Sequence, residues 1–433
     1  MGNDKPSSAW VLFASALFTG KPGERISDAA VVITDGSIAW AGPSDELPEQ
    51  YRSYRQEHYD DATILPGLIE THAHLGTEWR SHPEPDISDP QTIDQSWNTL
   101  YSLYTAQQLA SYGVTTIQSL GSLYYSDVAV REAIQHGLAE GPRIVAAGGI
   151  ITPTGGHGWR NGAEVDSITD ILREVRAHHK AGVDTIKFAG TGGFLTPGSA
   201  QWRPQFSLEE LRAGVNEAHR LGKVVAVHAH GTAGIEQAVD TGVDLIAHAS
   251  FVSDDGITRF VPELADRIAA AGIYVDVSAA PGYPLRKEET WFGRAIDLYK
   301  HGVKIVAGHD IGIQIVPPSA YLPSLELLHE AGIPAEEVLL SATSRAASAI
   351  GLAGIAGVIA SGYEADIVVV QGNPFAHFSD IRNLIKVIIR GKDYSAVAAK
   401  ERLTQTNFAF PEISENRTLQ QYQATLERQT LKY

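Results

Sequence analysis

Residues 205–231 read QFSLEELRAGVNEAHRLGKVVAVHAHG. Ser207, followed three residues later by Glu210, is a capping box that opens a helix. The amphipathic stretch after it runs to Leu221-Gly222, where a glycine in the left-handed conformation ends the helix, and KVVAVH then reads as a buried strand. That strand finishes in His228-Ala229-His230, an i, i+2 pair that turns both imidazoles to one face.

The same unit recurs on either side. Tyr112-Gly113 precedes VTTIQS, Ala181-Gly182 precedes VDTIKF, Thr241-Gly242 precedes VDLIAH, Ala271-Gly272 precedes IYVDV and His301-Gly302 precedes VKIVAG. With a strand near Ala62–Ile69 and RIVAA after Pro142, eight strands alternate with helical pattern over residues 62–351. That is an α/β chain of the (β/α)8 TIM-barrel type. An open doubly wound sheet is the alternative, but no GxGxxG or GxxxxGKS follows any strand, so a nucleotide-binding use has no support. The ends differ: residues 9–41 and 355–391 are short alternating strands with turn dipeptides such as Asp35-Gly36 and Gly372-Asn373. Neither end makes a stable sheet alone. Residues 1–61 and 352–393 are therefore expected to meet in one small β-sandwich, followed by a polar arm over 394–433 with a candidate helix at Thr418–Thr430.

Composition narrows the chemistry. The 433 residues include 16 His and no Cys, which excludes disulfide scaffolds, iron–sulfur clusters and thiol nucleophiles; any metal must be held by nitrogen and oxygen. A net charge of −17, from 34 basic against 51 acidic residues, repels phosphate backbones and anionic membranes, so neither nucleic acid nor membrane is an expected partner. The apolar run Trp10–Phe18 is too short for a membrane span and has no basic leader. Cytoplasm, a small-molecule substrate and a homo-oligomer are the expectations.

In a barrel of this type the reacting groups come from the C-terminal ends of strands. His72 and His74 end the first, Lys187 the fourth, His228 and His230 the fifth, His248 the sixth, and His309-Asp310 the eighth; His157 lies on the Gly-rich loop after the third. Each has an ordinary structural explanation alone, but independent explanations would not gather them at one rim.

These strings identify a resemblance. LPGLIETHAHLG (65–76), YGVTTIQSLG (112–121), TGGHG (154–158), DTIKFAGTGG (184–193), the 205–231 stretch, AGHD (307–310) and SGYEADIVVVQGNP (361–374) resemble the amidohydrolase superfamily, within it the binuclear prolidase-like and imidazolonepropionase-like group. The resemblance implies that Lys187 is N-carboxylated by CO2 and bridges two divalent metals, one held by His72, His74 and Asp310, the other by His228 and His248. Elementary electrostatics agrees, because a bare ammonium between two dications is untenable whereas a carbamate is an anionic oxygen ligand. Zinc is the expected ion, with manganese, cobalt or iron accepted by the same donors. The resemblance further implies a hydroxide bridging the metals as nucleophile and Asp310 as proton acceptor and donor. His157 and His230, close to the rim but not needed as ligands, are candidates for binding the carbonyl oxygen or another polar substrate group.

Two positions depart from the resemblance. Gln118-Ser119 stands where relatives carry an Arg-Asp pair, and His309 stands where they carry Thr, next to Asp310, where it is a candidate substrate contact. The loops expected to roof the site are rich in aromatics and Arg: Trp79, Arg80, His82, Tyr124, Tyr125, Trp159, Arg160, Phe194, Trp202, Arg203, Tyr283 and Trp291. Of these, Trp159, Arg160 and Tyr283 are the named candidates for substrate binding. An N-acyl amino acid or dipeptide amide is the first expectation for substrate, and a urea, carbamate or cyclic amide the alternative. A deaminase is disfavoured because Gly231 stands where such enzymes carry Glu. A non-catalytic barrel is disfavoured by the full ligand set.

Overall fold

In the computed structural model the described residues are 9–76, 94–194, 196, 198–278, 280, 291–313 and 316–394. The chain starts with β1 (Trp10–Phe18), β2 (Arg25–Thr34), β3 (Ser37–Pro43) and β4 (Arg55–Pro66). Asp35-Gly36 turns β2 into β3 with φ of 49° and 82°, the left-handed pair that a two-residue hairpin requires. Ten strands follow: β5 (Leu68–Ala73), β6 (Val114–Ser119), β7 (Arg143–Ala146), β8 (Ile150–Thr152), β9 (Gly162–Glu164), β10 (Thr185–Ala189), β11 (Val224–Gly231), β12 (Leu245–Val252), β13 (Tyr274–Asp276) and β14 (Lys304–Ile305). The last described strands are β15 (Ile367–Gln371), β16 (Leu384–Ile389) and β17 (Lys392–Asp393).

Both ends of the described chain build one sheet, in the order β17-β16-β15-β4-β1-β2-β3, with β15 antiparallel to β4 from Ile367↔Pro66 to Gln371↔Ala62. This differs from the expected two-layered sandwich. The alternation is apolar on both faces: Leu12, Ile64, Ile367 and Val369 form one core, while Leu65, Val368 and Val370 point the other way into the main core. The main body covers that second face, whereas the first core is closed by the sheet's own strands with Ile359 and Ala365.

The middle of the chain is α/β with parallel strands, arranged as β5-β6-β7 and as β14-β13-β12-β11-β10-β8-β9. Backbone bonds tie β5 to the segment after β14, from Thr71 N to Ala307 O (2.9 Å) and from Ile311 N to His72 O (3.1 Å). The helix Leu208–Arg220 opens on the capping box read from the sequence, with Glu210 accepting the Ser207 N–H at 2.8 Å. The helices before β12 and β13 end at Gly242 and Gly272 with φ of 71°. Among the described residues no helix is long and apolar enough to cross a membrane. The arm beyond residue 394 lies outside the described residues.

An arginine helps fasten the terminal sheet to the body. Arg143 at the start of β7 reaches Glu364 and, at 3.4 Å, the buried Asp366, which also accepts the Arg390 N–H. Arg143→Met strands a buried carboxylate, which costs about 3–5 kcal/mol. The expected result is a lower urea midpoint with an unchanged slope. An unmoved midpoint contradicts the fastening role.

Candidate metal centre

The strand ends bring two donor groups together. His72, His74 and Asp310 form one and His228, His230 and His248 the other, with the ligand atoms of each group within 4.8 Å of one another. Asp310 Oδ1 stands 2.9 Å from His74 Nε2 and 3.3 Å from His72 Nε2. The groups adjoin, since the His72 and His248 rings are 5.2 Å apart. Lys187, 1% exposed at the middle of β10, places Nζ 3.5 Å from His72 Nε2. His157 stacks on His228 at 4.3 Å, and Phe194 packs edge-on against His230 at 4.8 Å.

The backbone around these groups is strained. His248, Ala249, Phe251, Ser278 and Asp310 all have φ between 43° and 74°, a region that non-glycine residues rarely occupy. Such outliers persist only where the surroundings enforce them, and they cluster at functional sites.

Burial also sets the charge states. It pushes His228, His230 and His248 well below the usual imidazole range and His157 down to about 4, so all four rings are neutral near pH 7. Burial lowers Lys187 to about 8, against the opposing pull of Asp276 and Asp310. For Asp310 burial acts upward, but His72, His74 and Lys187 outweigh it and hold the carboxyl well below the usual range. Neutral imidazoles with an ionised carboxylate are the protonation states a divalent cation needs, so these donors fit one.

A protein-family model described as the amidohydrolase family matches residues 63–393. The chain belongs to the amidohydrolase family. Ochratoxinase of Aspergillus niger is 26% identical over 394 residues, covering 84% of this chain and 81% of that protein. Imidazolonepropionase of Shewanella woodyi is 25% identical over 390 residues, covering 80% and 87%. A crystal structure of a Xaa-Pro dipeptidase with bound methionine in the active site superposes with a TM-score of 0.78 at 28% identity, over 89% of this chain and all of that one. The chain is thus a metal-dependent hydrolase acting on carbon–nitrogen bonds.

Two buried carboxylates of this amidohydrolase escape the sequence reading. Asp276, at the end of β13, lies 3.2 Å from His72 Nδ1 and accepts the Ser278 hydroxyl at 2.6 Å. Its only cue is an acid at a strand end in an apolar run. Where an imidazole holds a metal, a carboxylate behind it fixes the ring, and losing that carboxylate costs about 10–100-fold in metal affinity. Asp276→Ala is expected to show that loss in competition with a chromogenic chelator; undiminished affinity contradicts the role.

Glu70, fully buried, accepts the His72 N–H (2.7 Å), the His309 N–H (2.9 Å) and His309 Nδ1 (2.6 Å). This corrects the expectation for His309. Its ring is wholly buried between Glu70 and Tyr321, 5.2 Å away, and braces β5 against the Asp310 segment instead of touching substrate. Gln118 donates to Thr185 Oγ1 at 3.4 Å. Trp159 and Arg160 form a turn after His157, with the exposed Arg160 guanidinium 5.4 Å over the Trp159 ring. Tyr283, Trp79, Arg80 and His82 lie outside the described residues.

Proposed function

We propose that this amidohydrolase cleaves the amide bond of an N-acyl amino acid or dipeptide, using two divalent ions, zinc first among the candidates. His72, His74 and Asp310 would hold one ion, His228 and His248 the other, and Lys187, as its carbamate, would link them. The observation that carries this is the pair of adjoining buried donor groups with Lys187 beside them. An amine at about 8 is partly unprotonated at neutral pH, the form that attacks CO2 and loses a proton to give a carbamate. We also read the two parallel sheets as one (β/α)8 barrel over residues 62–351, with β7 and β8 as halves of its third strand, and 1–61 with 352–393 as the appended sheet.

When bound, such ions supply Lewis-acid polarisation and a water acidified towards neutrality. The rest falls to the side chains. Asp310, ionised throughout the working pH range, accepts a proton from the attacking water and returns it to the departing nitrogen. His157 and His230 donate hydrogen bonds to the carbonyl oxygen as charge develops there. The burial of Asp310 and His230 keeps competing water away from them and strengthens each interaction.

The name of the Xaa-Pro dipeptidase relative favours a dipeptide-like amide over other carbon–nitrogen bonds. A deaminase has no room for its glutamate: a Cβ at Gly231 would overlap the Trp202 carbonyl. The deciding assay offers metal-loaded protein a panel of dipeptides, N-acyl amino acids, aryl amides, ureas and carbamates. Turnover concentrated on the first two classes supports the reading; turnover of ureas or carbamates alone overturns it.

A further inference from the structure

We infer that Ser250 and Thr196 are positioning residues that set the tautomers of His230 and His157, so that both rings present an Nε2–H to the substrate carbonyl and neither serves as a metal ligand. The inference rests on the amide-hydrolase reading above. It also resolves a choice that the donor groups leave open, because His230 lies as close to His228 and His248 as a third ligand would.

A neutral imidazole carries one N–H and one lone pair, so whatever meets one nitrogen decides what the other can do. His228 Nε2 stands 3.1 Å from the Gly192 carbonyl. A carbonyl only accepts, so the proton is on Nε2 and the Nδ1 lone pair is left for a metal. His72 Nδ1 faces the Asp276 carboxylate, another acceptor, which leaves the Nε2 lone pair beside Asp310 and Lys187. Both of these proposed ligands are thus backed by groups that can only accept.

His230 and His157 are backed differently, by hydroxyls. Ser250 Oγ lies 2.7 Å from His230 Nδ1, and Thr196 Oγ1 lies 3.2 Å from His157 Nδ1. A hydroxyl can donate or accept, so its other contacts decide. Ser250 is 2% exposed, and among the described residues its hydroxyl meets His230 alone. If His230 Nδ1 were the donor, the serine proton would be buried without an acceptor, the costlier arrangement. Ser250 therefore donates to Nδ1, and the His230 proton sits on Nε2. Thr196 is buried and its Oγ1 accepts the Gly158 N–H at 3.0 Å, so among the described residues His157 Nδ1 is the acceptor left for its proton; a donating Nδ1 would strand that proton, and His157 likewise keeps Nε2–H.

The backbone holds the serine in place. Ser250 sits between Ala249 (φ 43°) and Phe251 (φ 53°), and its carbonyl accepts from the Arg294 guanidinium, which is itself buried. A hydroxyl anchored this way fixes the ring in one orientation as well as one tautomer.

The test is a long-range proton–nitrogen correlation spectrum of zinc-loaded protein labelled with nitrogen-15 at histidine, assigned with H157Q and H230Q. His157 and His230 are expected to show protonated Nε2 and bare Nδ1. Ser250→Ala is expected to abolish the single-tautomer pattern of His230 and lower kcat by about 10–100-fold, with KM and bound metal unchanged; Ser250→Thr restores both. Thr196→Val and Thr196→Ser repeat the comparison for His157. A proton on His230 Nδ1 in the unmodified protein overturns the inference. So does S250A with unchanged spectrum and kcat, or S250A that loses one bound ion, which would make His230 a ligand. Should S250A not fold, the unmodified protein and S250T still decide. The spectrum is read without turnover, so a protein that cleaves no amide refutes the substrate reading and leaves the tautomer result standing.

Discussion

Lys187→Ala is expected to lose bound metal and roughly a thousandfold or more of kcat, about 4 kcal/mol of barrier. The reason is the position of Lys187. Its Nζ lies 3.5 Å from His72 Nε2 and the residue is 1% exposed, so an ordinary surface role is closed to it. A buried ammonium at that spot would repel any dication held by His72, His74 and Asp310, whereas a carbamate binds one through oxygen. Truncation to alanine removes that bridge and leaves a void of the right size for a small anion. Adding acetate or propionate is therefore expected to restore part of the metal and part of the rate. The variant is checked for retained helix and strand content, then assayed for metal and for turnover with and without the carboxylate. Full activity without rescue removes Lys187 from the centre.

The second large effect is at Asp310. Asp310→Asn keeps the shape of the side chain and its reach to His74 but removes the negative charge and the proton acceptor. The imidazoles are untouched, so most of the metal is expected to stay. Loss of a general acid–base group costs about 10²–10⁴-fold in rate, expected here in kcat with a much smaller change in KM. Steady-state kinetics beside metal analysis separates the outcomes: an unchanged kcat takes Asp310 out of proton transfer, and loss of all metal makes its role purely one of coordination.

Most of what positions the centre is legible in the sequence because it is repetitive or clustered. The helix–glycine–strand unit appears six times, and each occurrence reinforces the others, so the 205–231 stretch could be read outward along the chain. Lys187, His228, His248 and Asp310 stand at the ends of such units, and His72 and His74 at the end of the first barrel strand, a coincidence of place that residue type alone would not supply. The groups behind them are less visible. Asp276 ends a short apolar strand, Ser250 is a small polar residue two positions after His248 in an otherwise apolar strand, and Thr196 lies on a connecting loop. Their partners are 204, 20 and 39 residues away in sequence, so only the fold shows what they touch. His309 shows the opposite case: standing next to Asp310 suggested a substrate contact, but the buried Glu70 carboxylate, 239 residues away in sequence, takes both its backbone N–H and its ring. The terminal sheet was half legible. Its strands and hairpin turn follow from alternation and Asp35-Gly36, but strands apolar on both faces do not say which face packs on the body and which closes on the sheet's own strands.

The central claim is that two divalent ions sit between these donor groups. The most direct measurement is the number of divalent ions bound per folded chain, by mass spectrometric metal analysis of protein purified without chelator and equilibrated with zinc. Two are expected, both lost when Lys187 is replaced. A folded chain that hydrolyses amides with one ion or none would contradict it.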